Sequence, residues 1–261
     1  MLSTLYQSLD LVAINKPHGL LVHRSPIASD ASEFAVQLLR DQLGQRVYPV
    51  HRLDRKTSGV LLFALNEVMN AAMQQQFMAG QVHKTYLALV RGYTPDEQTI
   101  DYPLRRDEGR HAGTMQEAVT HLKTLQRTEI PLPHGKHQTS RYSLVELTPE
   151  TGRMHQLRKH MAHILHPIIG DRPHGCNKQN KLFLAYFGMN TMLLHARQIA
   201  FAHPVSGEAI VIEAPWQAEF DRMMGALFTL IKLGVINPKY SATNRKISSN
   251  MVEINIVVNN L

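Results

Sequence analysis

An aspartate stands among basic side chains in the segment His51-Arg52-Leu53-Asp54-Arg55-Lys56-Thr57-Ser58-Gly59. Cations near a carboxylate keep it ionised, as a nucleophile or a general base must be. The Thr-Ser-Gly end of the segment can turn the chain and offer hydroxyls and amides to the surroundings of that carboxylate. Asp54 is therefore a candidate catalytic carboxylate. A solvated cluster of ion pairs on a surface loop would have the same composition, and physics alone favours that alternative.

A second basic segment, residues 151–160, is predicted to form a helix that starts at 151 or 152 and runs to about residue 163. Its apolar stripe would consist of Met154, Leu157, Met161, Ile164 and Leu165. Arg158 follows Met154 by four residues, about 40° around the helix, so it lies on the flank of that stripe. Burying a guanidinium without a partner is costly, and Asp54 is the candidate partner. The alternative is that Arg158 extends along its stem to water.

The opposite face of this helix is predicted to carry His155, Gln156, Lys159 and His163. Other possible metal ligands lie close in sequence: His160, His166, His174 and Cys176. The common zinc patterns need a repeated cysteine pair or a His-Glu-x-x-His motif, and neither is present. No metal and no cofactor are therefore predicted, and these histidines are expected to face phosphates instead.

A third candidate pair, Lys84 and Tyr86, lies in a predicted strand over residues 82–90. Side chains alternate along a strand, so these two share one face. A tyrosine beside a cation can stack on a nucleobase. A tyrosine packed in the core would have the same sequence context and is the more common case.

The elements that must position these residues alternate irregularly along the chain. Strands are predicted at 11–14, 20–22, 60–64, 82–90, 118–125, 142–147, 192–201 and 209–212. Helices are predicted at 33–43, 66–80, 152–163 and 217–233, and 105–117 is predicted to be a mobile loop. Because no strict strand–helix–strand rhythm repeats, the pattern favours an α+β fold around an antiparallel or mixed sheet. We expect one catalytic domain over residues 1–235 and a loosely held tail over residues 236–261.

Composition restricts the class of protein. The chain has 261 residues and a net charge of +7, which favours a polyanionic partner such as nucleic acid. With 44% apolar and 19% charged residues, it has the composition of a globular protein rather than a disordered one. A single cysteine excludes an intrachain disulfide and fits a reducing compartment. The N-terminus lacks signal-peptide features and no apolar run is long enough to span a bilayer, so a cytoplasmic protein without membrane contact is expected.

Together these motifs resemble pseudouridine synthases of the RluA type. The resemblance rests on His51-Arg52-Leu53-Asp54 with Thr57-Ser58-Gly59, on Lys84-x-Tyr86, and on Gly152-Arg153-x-His155-Gln156-Leu157-Arg158. It continues through His166-Pro167-Ile168-Ile169-Gly170-Asp171 and Leu194-His195-Ala196, in the family's order, and covers roughly residues 5–215. The segment that bears the aspartate, joined to the others, is far more specific than any one piece.

The resemblance implies one α+β catalytic domain with a long central mixed sheet and a central RNA-binding cleft. It also implies an RNA-dependent isomerase that needs neither cofactor nor metal. Asp54 would attack the base at C6, attack the sugar or remove a sugar proton, and the sequence does not choose among these. Tyr86 would stack on the base, Arg158 would pair with Asp54, and Arg52 would help to fill the gap left by the flipped nucleotide. The residues expected to contact RNA are His51, Arg55, Lys84, Arg153, His155, Gln156 and Lys159.

Within the family, residues 139–180 resemble most closely the members that modify uridine 65 of tRNA. The chain begins directly with strands of the catalytic domain, without room for the S4-like RNA-binding domain of several ribosomal RNA enzymes. The expected reaction is therefore isomerisation of a uridine of tRNA, at position 65, to pseudouridine by a monomer with no protein partner. The alternatives are a ribosomal RNA substrate and, more distantly, a non-catalytic RNA-binding module, which would not need a carboxylate near phosphates.

Overall fold

β-Strands dominate the residues that the computed structural model describes, which are 1–23, 32–107 and 112–230. The strands are β1 (Thr4–Gln7), β2 (Leu11–Lys16), β3 (Tyr48–Pro49), β4 (Ser58–Ala64), β5 (His83–Arg91), β6 (Glu97–Asp101), β7 (Leu104–Arg105), β8 (Met115–Gln116), β9 (Val119–Ile130), β10 (Ser140–Pro149), β11 (Leu194–Ala202) and β12 (Ala209–Glu213). The helices are α1 (Ala35–Leu43), α2 (Glu67–Met78), α3 (Gln156–His163), α4 (Asn177–Phe187) and α5 (Ala218–Met224), which a π-helical segment, Gly225–Leu230, extends.

One mixed sheet contains ten of the described strands. Its order is β1-β2-β4-β11-β5-β10-β9-β6, with β3 also paired to β4 and β12 to β11. Neighbours are antiparallel except β4 and β11, which run parallel and pair Ser58 with His195 and Gly59 with Ala196. The predicted α+β class with a central mixed sheet is therefore confirmed. The parallel pairing places the start of β4, and the Asp54 loop before it, in the middle of the sheet.

Helices cover both faces of the sheet, so both faces of its central strands are buried. Strand residues on one face pack against Ala35 and Leu39 of α1, and these are Val12, Ile14, Leu61 and Phe63. Strand residues on the other face pack against Met69 and Met73 of α2, and these include Leu11, Ala13 and Leu62. A strand buried on both faces needs apolar side chains at every position. This explains the unbroken apolar runs in β2 and β4.

The ends of α1 and α2 follow the signals seen in the sequence. Gly44 ends α1 in the left-handed conformation, with φ of 68°, which glycine adopts without steric cost. Asn66 caps α2, since its side-chain oxygen accepts a hydrogen bond from the amide of Met69 at 2.8 Å. No helix among the described residues is long and apolar enough to cross a membrane.

Two predicted elements near the candidate site are wrong. Residues 20–22 form no strand, because only an isolated bridge links Leu21 to Phe34. The helix predicted from 152 begins at Gln156, so Met154 is not on its apolar stripe and is exposed. The cause is the Gln156 side chain, whose oxygen accepts hydrogen bonds from the Thr151 hydroxyl at 2.7 Å and the Arg153 amide at 3.0 Å. These bonds hold the preceding residues in a turn.

Other differences lie further along the chain. Helix α4 is present where the sequence analysis predicted no element. The last predicted helix, 217–233, is α5 followed by the π-helical segment as far as residue 230. The region predicted to be a loop, 105–117, contains the end of β7 and the whole of β8, and its residues 108–111 lie outside the described residues. The tail predicted over 236–261 lies wholly outside them.

We predict that Gly59→Ala destabilises the protein. A methyl group at this position would lie 2.1 Å from the carbonyl oxygen of Ala196, and φ is 108°, where only glycine is unstrained. Backbone strain and overpacking together should cost about 2–6 kcal/mol. Urea unfolding followed by circular dichroism would measure the loss. Gly225→Ala is the matched control, because its methyl group would meet nothing within 4 Å; equal midpoints for the two variants would contradict the argument.

Candidate active site

A cleft of about 300 Å³ opens where the Asp54 loop, strand β5 and the turn before α3 meet. Most of the predicted site residues line it: His51, Arg52, Asp54, Lys84, Tyr86, Arg153, His155, Gln156 and Arg158. Arg55 and Lys159 do not. The fold thus brings the first basic segment against the second, although Asp54 and Arg158 are 104 positions apart in the sequence.

The central contact of the cleft is an ion pair. Nη1 of Arg158 lies 2.9 Å from Oδ2 of Asp54, which is the partner that the sequence analysis named for it. The Asp54 side chain is 26% exposed and that of Arg158 is 6% exposed, so the carboxylate faces the cleft while the guanidinium lies behind it. A cation in this position holds the carboxylate by a charged hydrogen bond without covering it.

A second carboxylate holds Arg158 in place. Nε and Nη2 of Arg158 each donate a 2.8 Å hydrogen bond to the two oxygens of Asp171, whose side chain is 1% exposed. Such a two-point contact sets the plane and the direction of the guanidinium. Burial opposes the charge of Arg158, but the hydrogen bonds and charges of Asp171 and Asp54 outweigh it and raise the pKa of the guanidinium.

Asp171 was not among the predicted site residues. The sequence contained a signal for it, since Asp171 ends the His166–Asp171 motif. The motif did not indicate which side chain Asp171 would bind. Gly170 before it has φ of 83°, and a side chain there would meet the Thr191 carbonyl at 1.8 Å. The close approach of these two backbone segments is what brings Asp171 under the guanidinium.

A buried lysine supports the Asp54 loop from the far side. Nζ of Lys16 donates to the carbonyl oxygens of Pro17 and Leu20, both at 2.9 Å, and of Arg55 at 3.2 Å. Burial lowers the pKa of Lys16 to about 7, and the negative charge of Asp54 opposes the shift. Lys16 was not among the predicted site residues.

Lys84 and Tyr86 line the cleft from β5, on one face of the strand as predicted. Burial and the nearby charge of Asp54 raise the pKa of Tyr86, so its hydroxyl keeps its proton. Burial lowers the pKa of Lys84. The tyrosine ring therefore offers an uncharged surface beside the carboxylate, which suits stacking against a planar base.

Two residues predicted to contact RNA have their polar atoms occupied within the protein. Gln156 is buried rather than on the polar face of α3, and its amide nitrogen donates to Val119 O at 2.9 Å and to the hydroxyl of Thr120 at 3.0 Å. With the two bonds that its oxygen accepts, all four of its hydrogen-bonding positions are used. Burial and the charge of Lys84 lower the pKa of His51 to about 3, so this ring is neutral. Its Nε2 accepts a hydrogen bond from the Leu62 amide at 3.1 Å.

Arg55 and Lys159 lie beside the cleft and contact neighbouring loops. Nε of Arg55 donates to the carbonyl of Gly19 at 3.1 Å. Nζ of Lys159 is 2.7 Å from a carboxylate oxygen of Asp107 and 3.2 Å from the carbonyl of Arg105, next to β7. Both side chains therefore link the walls of the cleft to adjacent segments. Neither of them lines the cleft beside Asp54.

Cations surround the single carboxylate that faces the cleft. Arg52, Lys84 and Arg153 line the opening, with Arg158 behind Asp54. The arrangement attracts a polyanion and leaves one carboxylate accessible among the cations. Among the described residues, no three His, Cys, Asp or Glu side chains come close enough together to hold a metal ion.

Comparison with known proteins gives a consistent result. A sequence model of the family described as RNA pseudouridylate synthase matches residues 10–163. A protein named tRNA pseudouridine synthase C from Yersinia pestis is 46% identical over 231 residues, which cover 86% of this chain and 90% of that protein. The protein of the same name from Haemophilus influenzae is 46% identical, over 86% of this chain and 97% of its own length. The one from Vibrio parahaemolyticus is 45% identical, over 85% and 94%.

Solved structures agree with the sequence matches. Human RNA Pseudouridylate Synthase Domain Containing 1 superimposes with a TM-score of 0.67 and 25% identity, covering 85% of this chain and 87% of that one. Human RNA Pseudouridylate Synthase Domain Containing 4 gives 0.65 and 25%, covering 85% and 91%. The fold is therefore shared over most of this chain.

We predict that Asp171→Asn destabilises the protein by about 3 kcal/mol, because it removes one charge of a buried, hydrogen-bonded ion pair. Thermal and urea unfolding would measure this. The control is Asp41→Asn, which removes a carboxylate paired with Arg40 at the surface, where the side chain is 65% exposed. Its unfolding should be close to that of the wild type. If both variants unfold like the wild type, Asp171 does not hold Arg158 as described.

Proposed function

The chain belongs to the RNA pseudouridylate synthase family, and on that premise we propose that it isomerises a uridine of tRNA to pseudouridine, with Asp54 as the catalytic carboxylate. The observation that carries the proposal is the Asp54–Arg158 pair at the base of a basic cleft. A non-catalytic RNA-binding module would gain nothing from an ionised carboxylate held open among its cations, because the carboxylate repels phosphate.

The choice of tRNA rests on the relatives. The three proteins named tRNA pseudouridine synthase C that are described above match 85–86% of this chain and at least nine-tenths of their own length. Position 65 is the finer proposal, and it rests on the resemblance over residues 139–180 alone. A ribosomal RNA substrate is the competing assignment, since the chemistry would be the same. We also expect the enzyme to act as a cytoplasmic monomer.

The chemistry requires the target uridine to leave its helical stack, because the reacting atoms cannot be reached inside it. Arg52 is exposed at the cleft and is placed to occupy the gap that the flipped nucleotide leaves. The base would then lie against Tyr86, within reach of Asp54. Lys84 and Arg153 would bind the phosphates nearby. His51 and Gln156 would act by shaping the cleft rather than by contacting RNA.

Isomerisation breaks the bond from the sugar C1′ to N1 of the base and forms a bond from C1′ to C5. Asp54 would start this by attacking the base, attacking the sugar or removing a sugar proton, and each role needs the carboxylate ionised. Arg158, which Asp171 holds fixed, would keep the carboxylate in position for this step. No additional reactant is consumed, because the product has the same atoms as the substrate.

We predict that Asp54→Asn abolishes turnover while leaving RNA binding intact. The amide keeps the shape of the side chain but can neither attack nor take a proton, so turnover should fall by several orders of magnitude. Release of tritium from C5-labelled uridine in RNA measures turnover, and filter binding measures affinity. Asp221→Asn, in the first turn of α5, is the matched control. Release at the wild-type rate by Asp54→Asn would end the assignment of Asp54.

We predict a pseudouridine at position 65 of tRNA that depends on this protein. Pseudouridines in total tRNA and ribosomal RNA would be mapped in cells with and without it, and purified protein would then be tested on unmodified transcripts. Loss of one tRNA site, restored by the wild type and not by Asp54→Asn, is the expected result. Loss of a ribosomal RNA site with all tRNA sites unchanged would support the competing substrate.

A further inference from the structure

A pair of histidines beside Asp54 has no place in the mechanism described so far. Nδ1 of His155 lies 3.0 Å from Nε2 of His174, a hydrogen-bonding distance. Nε2 of His155, the other ring nitrogen, lies 3.8 Å from Oδ2 of Asp54. His155 lines the cleft, whereas His174 lies behind it in the turn that follows Asp171. The three side chains therefore lie in a row: the Asp54 carboxylate, the His155 imidazole and the His174 imidazole.

The backbone at His155 is strained to make this contact. Its φ is 55° and its ψ is 24°, a left-handed conformation that few residues other than glycine adopt. Only one other described residue that is not glycine has positive φ, Leu165 at the far end of α3. Strain of this kind costs about 1–3 kcal/mol and persists where the surrounding structure holds it, often at functional sites. Here it directs the imidazole at the cleft.

We propose that His155, oriented by His174, is the general base that removes the proton from C5 of the target base and returns a proton to N1. This inference rests on the proposed function. Once C5 has joined C1′, it carries both the sugar and its original hydrogen. The C5–H electron pair forms the C5–C6 double bond, and the C6–N1 double-bond pair moves onto N1, which takes up a proton. One proton leaves and one arrives, so no co-reactant is needed.

The histidine pair suits this proton transfer because a hydrogen bond between the two rings fixes which nitrogen of His155 is free. When Nδ1–H of His155 donates to Nε2 of His174, Nε2 of His155 has a free lone pair facing the cleft. A proton accepted there makes an imidazolium that pairs with the carboxylate of Asp54. His155 is then a general base whose ring is oriented by His174, as a catalytic base commonly is by a neighbouring side chain.

Burial keeps the histidine pair neutral before the reaction. Burial is the main cause that lowers the pKa of both His155 and His174. The charged groups facing the two rings are Asp54, Arg158 and Lys159, with Asp171 below and Asp107 across from them. The cations oppose protonation and the carboxylates favour it. A neutral imidazole can accept a proton, and protonation at low pH removes that capacity, so activity should fall on the acid side.

The test replaces His155 with glycine, which suits the positive φ and leaves space for a small base. Single-turnover formation of pseudouridine in tRNA should fall about 100-fold or more at saturating enzyme, as expected for loss of a general base. The RNA concentration for half-saturation should change less than about two-fold, because the loss lies in chemistry and not in uniform binding. The decline at acid pH should disappear, and added imidazole should restore part of the rate. Asp54→Asn should not respond to imidazole.

Two further variants keep the experiment decisive. His174→Phe retains a ring but removes the acceptor nitrogen; it should slow turnover less than His155→Gly, and the double variant should be no slower than His155→Gly alone. His137→Gly, in the exposed turn between β9 and β10, is the control and should behave like the wild type. If His155→Gly fails to fold, His155→Asn is used, since asparagine tolerates the same conformation.

Several results would overturn the inference. They are a wild-type rate for His155→Gly, a loss confined to RNA binding, or a slow variant that keeps the acid decline and ignores imidazole. A wild-type protein that forms no pseudouridine in any tRNA or ribosomal RNA would instead refute the proposed function, and the role of His155 with it. An active wild type and an unaffected His155→Gly would leave the proposed function standing.

Discussion

The guanidinium of Arg158 is the group on which the cleft depends, because it neutralises two carboxylates at once. Asp171 holds it by two bonds from below, and Asp54 takes the remaining nitrogen from the side of the cleft. A buried arginine with one missing partner would be costly, and so would a buried Asp171 without the arginine. The three groups therefore form a unit: Asp171 and Arg158 are buried, and Asp54, the exposed member, is held at the cleft by the guanidinium.

The sheet provides the frame for this unit. Strands β4 and β11 run side by side in parallel at the point where the Asp54 loop enters the sheet, and Gly59 permits the close approach. Below the loop, Lys16 donates to three backbone carbonyl oxygens and ties the loop to the end of β2. The close approach at Gly59 and these bonds of Lys16 both fix the backbone around the loop. The position of Asp54 is therefore set by contacts of the loop with the sheet and with Lys16.

The cleft separates residues whose charge faces its opening from residues that shape its wall. Arg52, Lys84 and Arg153 present charge at the opening, whereas Gln156 and His51 have their hydrogen-bonding atoms committed to the backbone and to buried hydroxyls. Polar residues in one motif can therefore serve either purpose. Their type and spacing are alike, and only burial and bond partners distinguish them.

The sequence by itself determined the class of fold, the two capped helices α1 and α2, the apolar central strands and the candidates Asp54, Tyr86 and Arg158. The elements follow from local rules of periodicity and capping, whereas the choice of Asp54, Tyr86 and Arg158 as site residues follows from the family resemblance of their motifs. The tertiary structure alone decided that Asp171 and Lys16 belong to the site, that α3 begins at Gln156, and that His155 faces Asp54. Each of these depends on a contact between segments distant in sequence, or on a side chain that satisfies a buried backbone group. Local sequence patterns predict neither kind of contact.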